Sequence, residues 1–165
     1  TMTKGEEWNK QLKISIELED PGAPELDELL KKSDVFFFSK EFAMKKGFND
    51  SKEFIRYYQP RSKPGSILFC TWGSQGAACS SRIGDILCVP APQKDQASNS
   101  VGAGDTFIAG VIYCLGRSYS LWFALKFACE LANREITQTG FDNLTKDNMS
   151  KYSSRNSSIS ALYKI

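Results

Sequence analysis

The chain contains no histidine among its 165 residues. That absence excludes Ser-His-Asp and Cys-His catalysis within it, histidine-bound zinc and a histidine pH switch. No apolar run approaches the roughly 20 residues of a membrane span. A large excess of either charge is missing too: 21 Lys plus Arg stand against 19 Asp plus Glu, for a net charge of +2. Long-range attraction to nucleic-acid phosphates is therefore not expected, and the scattered lysines form no basic stripe. The five cysteines (70, 79, 88, 114 and 129) include no CxxC pair, so neither a disulfide framework nor a metal site is favoured. The segment Thr1 to Lys10 has no signal-peptide core. Reduced thiols and a cytoplasmic location follow as expectations, and the Asn-x-Ser/Thr triplets at Asn49, Asn143, Asn148 and Asn156 then read as coincidences of composition.

What is present suits one domain with a real core: 41% of residues are hydrophobic and 12% aromatic. Leu12, Ile14, Ile16 and Leu18 alternate with polar residues, which predicts a strand with one buried face. Asp20-Pro21-Gly22 breaks it, and Leu26, Leu29 and Leu30 predict a short helix with Pro24 in its first turn. Val35 to Phe38 and Ile67 to Cys70 are continuous apolar runs, the pattern of strands buried on both faces. Between them, Ser39 and Asp50 are candidate caps for helices carrying Phe42 and then Phe54, Ile55 and Tyr58, and Gly47 is a helix stop. Such spacing implies parallel strands joined by helical crossovers.

Short strands follow at Ala77 to Ser80 and Ile86 to Val89, around an Arg82 to Asp85 turn. Helices are expected over Gly102 to Leu115 and Leu121 to Ile136. After Gly140 the chain turns polar, so residues 1–143 read as the domain and 144–165 as a tail. The class is α/β.

One loop carries chemistry: Asn99-Ser100-Val101-Gly102-Ala103-Gly104-Asp105-Thr106-Phe107. Small residues at a helix start let free backbone N–H groups converge, and the helix dipole adds positive charge. Gly102, Ala103 and Gly104 thus form a candidate anion hole for a phosphate or a transferring phosphoryl group. A carboxylate beside such a hole repels resting phosphate, and general-base work is the economical reason for Asp105. The plainer alternative is a tight turn followed by an acid that favours the dipole. Walker A and Rossmann spacings both fail here.

The run Val101 to Phe107 resembles the C-terminal signature of the ribokinase-like (PfkB) carbohydrate kinases. Flanking blocks resemble the ketohexokinase group of that family in order and spacing: Lys13 to Glu17, Phe38-Ser39-Lys40, Cys70-Thr71-Trp72, Gly76-Ala77, Ala124 to Cys129 and Gly140-Phe141-Asp142. The resemblance implies part of a three-layer fold, a mainly parallel sheet with helices on both faces. It implies Asp105 as catalytic base, ATP with Mg2+ as donor and a sugar as acceptor, fructose at its 1-hydroxyl for this group. It also implies a nucleotide wall built from Thr71, Gly73, Ser74 and Gly76, with adenine between Pro90 and the helix bearing Cys129, Ala132 and Asn133. Trp72 and Cys129 have competing roles as core packing.

Departures from the family pattern are visible. Asn99-Ser100 stands where the family has Asp-Thr, Gln93 to Ser98 is long and polar, and no Asn-x-x-Glu segment or Gly-Gly sugar-side motif occurs. Family members carry an N-terminal half that supplies most sugar contacts. Without its strands the sheet would keep an open edge, which implies a partner chain or poor solubility. An inactive nucleotide-binding or interaction fragment, or a related kinase for another sugar or nucleoside, is the alternative expectation.

Overall fold

A computed structural model describes residues 13–92 and 102–137. Five strands form one sheet in sequential order: β1 Ser15–Leu18, β2 Val35–Phe38, β3 Ile67–Thr71, β4 Ala77–Ser80 and β5 Ile86–Val89. The first three pair in parallel. The last two continue as antiparallel neighbours, so β5 again runs in the direction of β1 to β3. Helices α1 Leu26–Lys32, α2 Lys40–Lys45 and α3 Ser51–Tyr58 connect the parallel strands, and α4 Ala103–Gly116 and α5 Leu121–Thr137 follow the sheet.

Side chains alternate across a strand, so the run Val35 to Phe38 feeds two cores at once. Phe36 and Phe38 join Leu68, Cys70 and the inner faces of α1, α2 and α3. Val35 and Phe37 join Ile67, Phe69 and the inner faces of α4 and α5. The result is a three-layer sandwich. Phe38 lies 5.1 Å from Phe42 and 4.9 Å from Phe54 between ring centroids, which locks α2 and α3 to the sheet. Each such ring contributes roughly 1.5–3 kcal/mol through burial.

Local signals acted as expected at the helix ends. The Phe42 amide donates to Ser39 Oγ at 3.1 Å, and the amides of Lys52 and Glu53 donate to Asp50 Oδ1 at 2.8 and 3.0 Å. Gly47 takes a φ of +89° just after α2, the left-handed step that ends a helix.

Two details differ. Pro24 precedes α1 rather than lying in its first turn; Glu25 is the N-cap residue. Ile14, expected to face inward, is 43% exposed, because it precedes β1 and the α1 layer covers only Ile16 and Leu18. Leu12, residues 93–101 and the tail 144–165 lie outside the described residues, and so does the boundary at 143.

Candidate active site

Strand register sets the frame. Leu18, Phe38 and Cys70 are level across β1, β2 and β3, and Thr71, Ala77 and Val89 are level across β3, β4 and β5. The carboxyl ends of β1, β2, β3 and β5 therefore lie along one border of the sheet. In open α/β sheets that border is where ligands bind.

The start of α4 reaches the same border. Phe37 stacks on Phe69 at 5.4 Å, and Phe69 meets Phe107 edge-on at 6.2 Å. This ring ladder holds the first turn of α4 against the sheet, two residues beyond Asp105.

At that turn Gly102 is the N-cap, with φ +91° and ψ −12°. The left-handed conformation is one that L side chains avoid, and it turns the chain sharply into the helix. The Thr106 amide donates to Gly102 O at 2.9 Å, the first helical bond. Gly102 has no side chain to cap the helix, and no side chain among the described residues caps it. Among the described residues, the amides of Ala103, Gly104 and Asp105 have no acceptor. A β-carbon on Gly104 would meet no described residue within 4 Å. Asp105 is exposed. The Thr106 hydroxyl donates to Glu135 Oε2 on α5 at 3.4 Å.

Glu17 was not singled out by sequence reasoning. It lies level with Phe37 on β1, on the sheet face that carries α4. Burial, then the charges of Glu19 and Asp105, push its carboxyl above the ordinary value. Lys40 and Glu135 were also unassigned. Lys40 Nζ stands 5.9 Å from the Trp72 ring centroid, at the head of α2 beside the turn after β3. The sequence signals were faint: a charge on the second face of an edge strand, and two charges at helix ends.

Thr71 ends β3, half-buried, and Gly73 and Ser74 lie exposed in the 3-10 turn Gly73–Gln75. The Trp72 amide donates to Gly76 O at 2.7 Å and closes that turn. Trp72 itself is a core residue, 6% exposed. Gly76 is buried against the end of β5: a β-carbon there would stand 2.0 Å from Val89 O and 2.7 Å from the Pro90 carbonyl carbon. The structure thus brings Gly76 and Pro90 together. On α5, Cys129 is buried among the apolar side chains under the helix, its thiol pushed up to about 12 by burial. Ala132 packs beside it with Val89 of β5, and Asn133 is half-buried one residue on. The end of β5 and this stretch of α5 consequently share one surface. All five cysteines are free.

The frame superposes on solved kinases. A probable sugar kinase from Rhizobium etli CFN 42 matches with a TM-score of 0.74 at 22% identity, over 87% of this chain and 46% of that one. An adenosine kinase from Sinorhizobium meliloti matches with a TM-score of 0.71 at 19% identity, over 84% of this chain and 45% of that one. The fold is accordingly the ribokinase-like α/β kinase fold, present in part. Residues 9–148 match the pfkB family carbohydrate kinase model, and the chain belongs to that family. It is 34% identical to ketohexokinase of Mus musculus over 135 residues, 82% of this chain and 45% of that protein. The chain thus spans less than half the length of this curated relative. Among the described residues, no helix is long and apolar enough to cross a membrane.

Proposed function

We propose that the protein works as an ATP-dependent sugar kinase of ketohexokinase type, moving the γ-phosphoryl group onto the 1-hydroxyl of fructose. One observation carries this reading: a helix start whose first amides have no acceptor among the described residues, beside an exposed carboxylate at the carboxyl border of the sheet. The amides of Ala103, Gly104 and Asp105 receive the charge that builds on the transferring group. The Asp105 carboxylate takes the proton of the attacking hydroxyl as the new O–P bond forms and the bond to the β-phosphate oxygen breaks. Thr71, Gly73, Ser74 and Gly76 flank the triphosphate. Pro90 and the Cys129, Ala132 and Asn133 stretch flank the adenine.

Magnesium fits this donor set as an ion carried in by the triphosphate. Among the described residues no cluster of three or more protein ligands gathers, while the Asp105 charge contributes to raising the Glu17 carboxyl. One or two carboxylates plus phosphate oxygens are the usual magnesium environment, and the ion supplies neutralisation of phosphate charge. Glu17 is the residue that would face it. The sugar clamp falls to polypeptide beyond the 45% of the relative that this chain covers, and the open side of β1 is where a partner chain or further strands would add.

The test is calorimetric titration with ATP, set beside a coupled assay of ADP release with fructose, ribose and adenosine as acceptors. ATP binding with fructose-dependent release supports the proposal. Release with ribose or adenosine alone moves the substrate to another member of the family. Binding without release favours a nucleotide-binding module, and absence of both overturns the reading.

A further inference from the structure

The hydroxyl of Thr106 follows Asp105 directly and sits in the first turn of the helix whose amides open onto the border. A threonine at this position can fold its hydroxyl back onto the carbonyl four residues earlier, here Gly102. Instead that carbonyl accepts the Thr106 amide, and the hydroxyl crosses to Glu135 Oε2 of α5 at 3.4 Å. Glu135 lies one helical turn beyond Ala132 and is on the same face as Ala132 and Ala128, the face of α5 that packs against the sheet and α4. The two helices meet closely. A β-carbon on Gly110 would come within 3.1 Å of Ala128 Cα, so their backbones are nearly in contact one turn further along α4. The Thr106–Glu135 bond thus stands at one end of the α4–α5 seam, next to its apolar contacts.

We infer that Glu135 is a positioning residue: its carboxylate holds the first turn of α4 against α5 through Thr106. This sets the amides of Ala103 to Asp105 at a fixed place relative to the Cys129 to Asn133 stretch. The inference extends the nucleotide reading above and rests on it only for its consequence in ATP binding; the contact itself is independent of it. Two effects of Glu135 oppose each other. Its acceptor oxygen orders the turn, while its negative charge stands near a site for anions. Glutamine keeps an acceptor and removes the charge; alanine removes both.

The experiment measures amide hydrogen exchange by NMR together with calorimetric ATP affinity, for the wild type, Glu135→Ala, Glu135→Gln, Thr106→Val and Thr106→Ser. Exchange at Thr106 and Phe107 should speed up about 3- to 10-fold in Glu135→Ala and Thr106→Val, with Val111 to Cys114 unchanged. Glu135→Gln and Thr106→Ser should exchange as wild type. ATP should bind about 3- to 10-fold more weakly to the alanine and valine variants, and at least as tightly as wild type to Glu135→Gln. Combining Thr106→Val with Glu135→Ala should add nothing to either single change.

Unchanged exchange at Thr106 and Phe107 in both single variants overturns the inference. So does equal weakening of ATP binding in Glu135→Gln and Glu135→Ala. If the wild type binds no ATP but exchange responds as stated, the positioning contact stands and the nucleotide reading falls.

Discussion

Gly76 and Val89 are in backbone contact: a β-carbon on the glycine would occupy space 2.0 Å from the Val89 carbonyl oxygen. Gly76 also has φ +101° and ψ −139°, a region that L side chains rarely enter. The turn after β3 and the end of β5 are thus held together where no side chain fits. Gly76→Ala should lower the unfolding free energy by about 3 kcal/mol, or prevent folding. Urea unfolding with an unchanged slope and a shifted midpoint is the check.

Asp105 is exposed, and the amides around it are not tied to other described residues. Asp105→Asn keeps the shape and removes the base. Turnover in the complete kinase should fall by about 10² to 10⁴, while ATP affinity stays within a few-fold of wild type. Near-normal turnover in a steady-state assay would remove Asp105 from the mechanism.

Asp50 caps α3 through two amide bonds to one oxygen. Phe54, Ile55 and Tyr58 of that helix are buried beneath it. Asp50→Ala should destabilise the protein by about 1 kcal/mol, and Asp50→Asn by less. Thermal midpoints of the three proteins at one concentration decide it.

Asp34 Oδ1 accepts Lys63 Nζ at 2.8 Å, and Oδ2 accepts the Ile14 amide at 2.9 Å. Burial alone would raise its carboxyl. The hydrogen bonds from Lys63 and the Ile14 amide, with the charges of Lys63 and Lys13, outweigh burial and hold it below the ordinary value of 3.8. The folded form thus binds the proton less tightly than the unfolded chain. The contribution is complete above the unfolded value and is lost as pH falls through the lower, folded one. A urea titration between pH 6 and pH 2.5 should show a shallower acid loss for Asp34→Asn than for wild type. Parallel curves would assign the acid loss to other carboxylates.

Among the described strands, β1 pairs only with β2, so one row of its N–H and C=O groups has no strand partner there. Exposed Ile14 flanks that edge. The chain alone should bind an apolar-surface dye and self-associate with rising concentration. A monodisperse species in sedimentation that leaves the dye dark would contradict this.

Much of the layering was legible because it rests on short-range pattern. The run Val35 to Phe38 has no polar side and can only be buried on both faces. Ser39 and Asp50 act on amides within three residues of themselves. The loop from Gly102 to Asp105 is likewise local: two glycines, an alanine and an acid suffice for a bare helix start. Pro24 and Ile14 were misplaced because a periodic pattern does not say where α1 begins or how far its cover extends over β1.

By itself, then, the sequence determined the element types, the helix stops and caps, the central apolar strands and the glycine-led start of α4, because each is a free-energy preference of neighbouring residues. Tertiary structure alone decided that the charge of Asp105 acts on Glu17, that Glu135 receives the Thr106 hydroxyl, that Lys40 lies over Trp72 and that Gly76 presses on Val89. Those pairs lie far apart in the chain or on different elements. Only strand register and the packing of α4 and α5 on a shared sheet bring their atoms within reach.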